Sequence, residues 1–127
     1  MRAGIIGLLM TAALAGKGHT EPSAYHEFEG AQLTQGRVVW LANCEGCHGY
    51  GTAGAPVPMM PGDWRARLQK PRAVLYRHAI DGFFGPDDTM MPPRGGNEKL
   101  TDNDVRAAVD YMTALAHSYL QTEEQTQ

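Results

Sequence analysis

The 127-residue chain contains only two cysteines, Cys44 and Cys47, so no other thiol competes with them for a disulfide or a metal. No apolar run approaches the ~20 residues that a membrane-spanning helix needs. Basic residues are not in excess: 11 Lys and Arg stand against 14 Asp and Glu, for a formal net charge of −3. No basic patch interleaved with aromatics is present, which argues against a nucleic-acid partner. Internal repeats and period-two strand patterns are missing as well. What remains is a short, mildly acidic, helix-forming chain with limited means of burying a large apolar core.

The two cysteines sit together in Cys44-Glu45-Gly46-Cys47-His48. A C-x-x-C-H pentapeptide reads as a covalent haem attachment site. The two thiols add across the two vinyl groups, and the histidine is placed to ligate the iron from one side. A thioredoxin-like dithiol would need strand–helix alternation, and a structural zinc site would need a second Cys or His pair at ligand spacing. The sequence offers neither, since His19, His26, His78 and His117 are scattered singly.

Haem of this kind is attached outside the bacterial cytoplasm, so an export signal is expected. Residues 1–15 have the form of one: Arg2, then Ile5, Ile6, Leu8, Leu9 and Met10, then Ala13-Leu14-Ala15 as an A-x-A-like cleavage site. Cleavage after Ala15 would release a periplasmic protein with no stable membrane insertion. Residues 16–30 then form a polar arm, 31–117 the folded domain, and 118–127 a polar tail. Tyr25 and Phe28 in the arm are candidates for packing on the domain or on a partner, although a frayed terminus is the simpler expectation.

Within the domain, Leu33, Gly36, Trp40 and Cys44 recur on one face of a helix expected over about 31–43. Gly36 in mid-helix costs about 1 kcal/mol relative to Ala, which calls for a close helix neighbour. A Gly/Pro-rich loop covers 49–62. A short helix is expected over about 64–69 after Asp63 as N-cap. Another is expected from near Pro71 to Asp81, stopping at Gly82 with Val74, Leu75, His78 and Ala79 inward. Residues 82–100 form a second irregular stretch, in which Pro92 and Pro93 hold the backbone extended. The last helix opens on the capping-box-like Thr101-Asp102-Asn103-Asp104 and runs to about His117, with Val105, Ala108, Val109, Met112 and Leu115 inward. Loops this long in a small domain make sense if they wrap a cofactor that supplies part of the core. The fold class expected is all-α, about four helices around one haem.

The ligand opposite His48 decides between electron transfer and ligand chemistry. Met91-Pro92-Pro93-Arg94-Gly95-Gly96 is the leading candidate segment, because His/Met coordination raises the haem potential. Met90, one residue away, is its rival. Met59, Met60 and Met112 read as flexible core filler. His78 reads as a packed core histidine rather than a second imidazole ligand. Trp64, Arg65 and Arg67 are candidate hydrogen-bond donors to haem propionates. Phe83, Phe84 and Tyr76 are candidate pocket walls or ordinary core.

Taken with Gly54-Ala55-Pro56, Gly62-Asp63-Trp64, Ala79-Ile80-Asp81-Gly82 and Ala107-Ala108-Val109-Asp110-Tyr111-Met112, these motifs resemble the class I c-type cytochromes, more closely the cytochrome c5-like monohaem group. The resemblance covers about 33–115. It implies the small class I cytochrome c fold, one haem c, thioether links at Cys44 and Cys47, His48 and Met91 as iron ligands, and Pro56 accepting a hydrogen bond from His48. It also implies that Gly36, Trp40 and Tyr111 form the contact between the first and last helices. The function implied is a one-electron carrier rather than an enzyme. Its partners would be a dehydrogenase or membrane respiratory complex on one side and a terminal oxidase or reductase on the other. The alternative is a haem c subunit of a periplasmic oxidoreductase, with the 16–30 arm or the 83–88 loop as docking elements. A gas-binding or peroxidatic role would need an open sixth position, which the M-P-P segment argues against.

Overall fold

The computed structural model describes residues 25–127. Residues 1–15, expected to be an export signal, and residues 16–24 of the expected arm lie outside the described residues. The fold is all-α: α1 (Ala31–Val39), α2 (Glu45–His48), α3 (Pro61–Trp64), α4 (Arg72–Asp81) and α5 (Asp102–Gln125). Between α1 and α2 the chain stays helical but widens into a π-turn over Trp40–Cys44. The expected single helix over 31–43 is therefore a continuous helical rod to His48 with a π-turn in the middle. Such turns are rare and often mark functional positions.

The rod crosses α5, and Gly36 is the reason that it can. A Cβ at Gly36 would overlap the Ala107 carbonyl oxygen and lie 2.7 Å from its carbon and 2.8 Å from Tyr111 Cβ. Trp40 and Tyr111 flank this crossing, both fully buried, with ring centroids 6.3 Å apart. The arm is not frayed from residue 25 on. Tyr25 packs edge-on against Trp40 at 5.5 Å, and Phe28 against Tyr111 at 5.8 Å. Tyr111 Oη donates to the His26 carbonyl at 2.7 Å, stapling the arm to α5.

Helix α5 starts as its sequence demands. Thr101 Oγ1 accepts from the Asp104 amide at 3.2 Å, and Asp104 Oδ2 accepts from the Thr101 amide at 2.9 Å. The Thr101 hydroxyl also donates to Asp104 Oδ2 at 2.7 Å, and this bond together with that from the Thr101 amide holds the Asp104 carboxyl below the usual carboxylate range. Thr101→Ala is expected to cost about 1 kcal/mol, which for a domain of this size lowers Tm by about 4–8 °C. An unchanged melting curve would show that the cap contributes nothing.

Other boundaries differ from the sequence expectation. Helix α5 continues to Gln125, past the end expected near His117. Leu120 is buried, and Arg65 pairs with Glu123 at 2.6 Å, which ties the last turns to the segment after α3. Helix α3 starts at Pro61, where the fixed φ suits a first turn, and ends at Trp64. A 3-10 turn at Arg67–Gln69 follows it. Asp63 is not an N-cap; its carboxylate accepts from the Val57 amide at 3.0 Å and closes the Gly/Pro loop. A two-residue hairpin, β1 (Phe83–Phe84) with β2 (Met90–Met91), occupies the stretch expected to be irregular. Pro92 is extended, but Pro93–Gly96 curls into a 3-10 turn with Arg94 and Gly95 at positive φ.

Candidate haem site

The core is divided. One apolar cluster gathers Trp40, Trp64, Tyr111, Met112, Leu115 and Ala116. A second gathers Ala79, Val105 and Val109, with Leu75, Tyr76 and Met91 packed on it. Between them runs a narrow cleft, lined by Cys44 and His48 on one shore, Met91, Arg94 and Leu100 on the other, and α5 residues including Ala108 and Met112 along the floor. Its walls are almost wholly apolar, and the side chains in it able to ligate a metal are the His48 imidazole, the Met91 and Met112 thioethers and the Cys44 thiol.

His48 is buried at the end of α2. Its Nδ1 lies 2.9 Å from the Pro56 carbonyl oxygen. A carbonyl only accepts, so Nδ1 carries the proton and Nε2 is left with its lone pair for a metal. Burial lowers the imidazole pKa, with the nearby Arg67 adding to the effect against the Pro56 bond. His48 is thereby kept in the neutral form that binds a metal.

Cys44 is half-buried and Cys47 exposed. Burial pushes the Cys44 thiol up to about 11, with Cys47 adding to it. A redox-active dithiol needs the opposite shift. Among the described residues no three His, Cys, Asp or Glu side chains cluster as a metal site, so a structural zinc centre has no ligand set.

Met91 reaches the cleft from β2, whose partner in register is Phe83. Met90 faces the other way and is 53% exposed. Met112 lies buried along the cleft and Met59 packs on the first cluster, but Met60 is exposed and is not core filler. Phe84, 82% exposed, is neither pocket wall nor core. Tyr76 is half-buried and donates to Asp110 at 2.6 Å. His78 stacks on Phe83 at 4.1 Å, away from the cleft lining.

Arg65 is engaged by Glu123, and Arg67 donates to the Asp63 carbonyl. Trp64 is buried, and its indole N–H, like that of Trp40, meets no acceptor among the described residues. An orphaned buried donor costs about 1–3 kcal/mol, so two of them together are a polar demand that the protein alone leaves unmet. Neither indole lines the cleft; both lie in the cluster around Tyr111.

Sequence reasoning missed the role of Glu45, the second residue of the pentapeptide. Its carboxylate accepts from Tyr25 Oη at 2.9 Å, which ties the arm to the attachment turn. Nothing local could have revealed a pairing across twenty residues. Burial and the Glu45 bond raise the Tyr25 pKa to about 12, above its ordinary 10. A raised tyrosine pKa means the clasp is fully formed below pH 10 and is lost as pH rises through about 12. Proteolysis within the arm is expected to accelerate across that window in the parent and not in Tyr25→Phe.

Comparison with known proteins supplies the family of the chain. A family profile described as cytochrome C oxidase, cbb3-type, subunit III, matches residues 31–112. Cytochrome c-555 of Prosthecochloris aestuarii is 37% identical over 89 residues, covering 68% of this chain and 90% of that protein. The chain belongs to the class I c-type cytochromes. Cytochrome c5 of Ectopseudomonas mendocina is 29% identical to this cytochrome over 75 residues, covering 58% of it and 80% of the relative. Among solved structures, a chain from the crystal structure of the electron transfer complex of nitrite reductase with cytochrome c aligns at TM-score 0.57 and 32% identity. That alignment covers 65% of the cytochrome and 94% of the matched chain. The cofactor is therefore one covalently attached haem c, and Cys44 and Cys47 fit its attachment motif. No helix among the described residues of the cytochrome is long and apolar enough to cross a membrane.

Proposed function

We propose that this cytochrome is a periplasmic one-electron carrier with His48 and Met91 as its iron ligands. The observation that carries the reading is that the buried His48 imidazole and the thioether of Met91, the methionine of the M-P-P segment, line one apolar cleft. Cys44 and Cys47 hold the cofactor through thioether links. Pro56 orients His48, and the Trp64 indole N–H donates to a propionate. When bound, the haem supplies a one-electron ferric/ferrous couple. The protein's residues set its potential: a neutral thioether and low polarity favour the reduced state. Because Pro92 and Pro93 restrict the backbone after Met91, little is expected to rearrange there when the charge changes. A redox enzyme as partner is supported by the nitrite reductase complex of the structural neighbour. Residues 1–15 read as the export signal, cleaved after Ala15.

The test is to export the protein with haem-maturation machinery, record oxidised and reduced visible spectra, and follow the pigment through a denaturing gel. Pigment that stays with the polypeptide, with low-spin bands indifferent to carbon monoxide, is expected. Carbon monoxide uptake would overturn His/Met ligation, and loss of pigment on the gel would overturn covalent attachment at Cys44 and Cys47.

A second reading, a dedicated subunit of an oxidoreductase complex, is favoured by the exposed Phe84–Met90 pair on the hairpin beside Met91. Co-purification with one large partner would support it. Equal reactivity with unrelated redox proteins would count against it.

A further inference from the structure

The two shores of the cleft belong to different parts of the chain, and a shared amide pair joins them. Asn97 Nδ2 donates to Asn43 Oδ1 at 2.6 Å across 54 residues of sequence. Asn43 is the residue before Cys44, inside the π-turn; Asn97 closes the 3-10 turn that follows Met91.

Each amide is oriented by a separate backbone partner. Asn43 Nδ2 donates to the Val39 carbonyl at 3.1 Å, which leaves its oxygen to face the loop. Asn97 Oδ1 accepts from the Lys99 amide at 3.1 Å, which leaves its nitrogen to face the helix. Neither side chain can be flipped without losing its backbone bond, so the bond between them is directional. Both residues are half-buried, where water competes poorly for the pair. The backbones also approach here: a Cβ on Gly95 would sit 3.6 Å from the Asn43 carbonyl oxygen. By contrast, the other anchors of the Met91 segment do not reach the attachment turn. Arg94 bonds the Leu100 carbonyl at 3.0 Å and Asp102 at 2.6 Å, and β2 pairs with β1.

We propose that Asn43 and Asn97 are a positioning pair that locks the Met91 segment onto the haem-attachment turn and so governs how often the sixth iron position opens. The π-turn then has a purpose: the wider turn presents the Asn43 amide toward the loop immediately before Cys44. The proposal rests on Met91 as the distal ligand.

The experiment uses the intact holoprotein and imidazole as competing ligand. Imidazole enters only when Met91 has left the iron, so its binding curve reads the opening equilibrium. Parent, Asn97→Ala, Asn43→Ala, the double variant and Met91→Ala are compared in the ferric state, with the thioether-to-iron charge-transfer band as signature. The expected result is a parental band in both single variants without imidazole. Apparent imidazole affinity is expected to rise roughly five- to tenfold, as for one lost half-buried hydrogen bond. The double variant should be little worse than either single one, because both remove the same bond. Urea unfolding of the same set separates this from general loosening: opening must change by more than global stability accounts for. Unchanged imidazole affinity in the single variants, with the parental band present, would overturn the positioning pair alone. Effects that add in the double variant would overturn it equally. A parent without the thioether band, or a Met91→Ala that keeps it, would overturn the ligand assignment and the pair with it.

Discussion

Met91→Ala is expected to convert the cytochrome from a carrier with closed iron into one that binds carbon monoxide. Its potential should fall by roughly 0.1–0.3 V, within the span of about 0.8 V that axial ligation commands. Met91 lines the cleft with His48, while Met90 points outward. Met90→Ala should therefore leave spectrum and potential unchanged. The substitution does not need to unfold the loop. Gly82 at φ 87 lets α4 turn back against it, where a Cβ would sit 3.0 Å from the Met91 carbonyl oxygen. Pro92 is fixed in the extended region, and Arg94 is bound to Leu100 and Asp102. The loss is thus one of ligation, read by potentiometry and carbon monoxide difference spectra. If Met91→Ala kept the parental bands and potential, the thioether would not be on the iron. If Met90→Ala produced the change instead, the register of the hairpin would be wrong by one residue.

Gly36→Ala is expected to be the most damaging small substitution outside the cofactor contacts. Two effects oppose each other. Alanine is the better helix former by about 1 kcal/mol. Against that, its methyl would overlap backbone atoms of Ala107, which move only if α1 and α5 separate. Overpacking of this kind costs about 1–3 kcal/mol and sometimes more, and here the obstacle is backbone rather than the end of a flexible side chain. Separation would also loosen Trp40 and Tyr111. A net loss of about 2 kcal/mol is expected, seen as a fall of roughly 8–16 °C in Tm. Gly46→Ala is the control: it too is helical, with open space around a Cβ, and should be neutral or mildly stabilising. Similar melting of the two variants would refute the close-crossing account.

The structure and the sequence agree best where the decisive chemistry is local. Thr101 and Asp104 are three residues apart, and their capping bonds form as expected. Pro71 and Gly82 bound α4 because one fixes φ and the other accepts a positive φ. His48 meets Pro56 within a single loop. The errors lie where partners are distant. A polar stretch such as 118–125 carries no clear stripe, yet it is helical because Leu120 is buried and Glu123 meets Arg65 across 58 residues. An isolated ion pair on the surface is worth little, about 0–1 kcal/mol, so burial of Leu120 and continuity with the helix before it matter more. Asp63 looked like a cap because its type fits one, but the Val57 amide is a partner that only the folded loop supplies.

The sequence by itself determined the helical class, the attachment pentapeptide, the start of α5 and the Met91 segment as a candidate ligand, since each follows from side-chain chemistry within a few residues. Only the tertiary structure decided that Met91 rather than Met90 lines the cleft, that Tyr25 and Phe28 close over the core, and that a π-turn brings Asn43 to Asn97. Those outcomes depend on strand register, helix crossing and contacts between residues tens of positions apart, which no local pattern encodes.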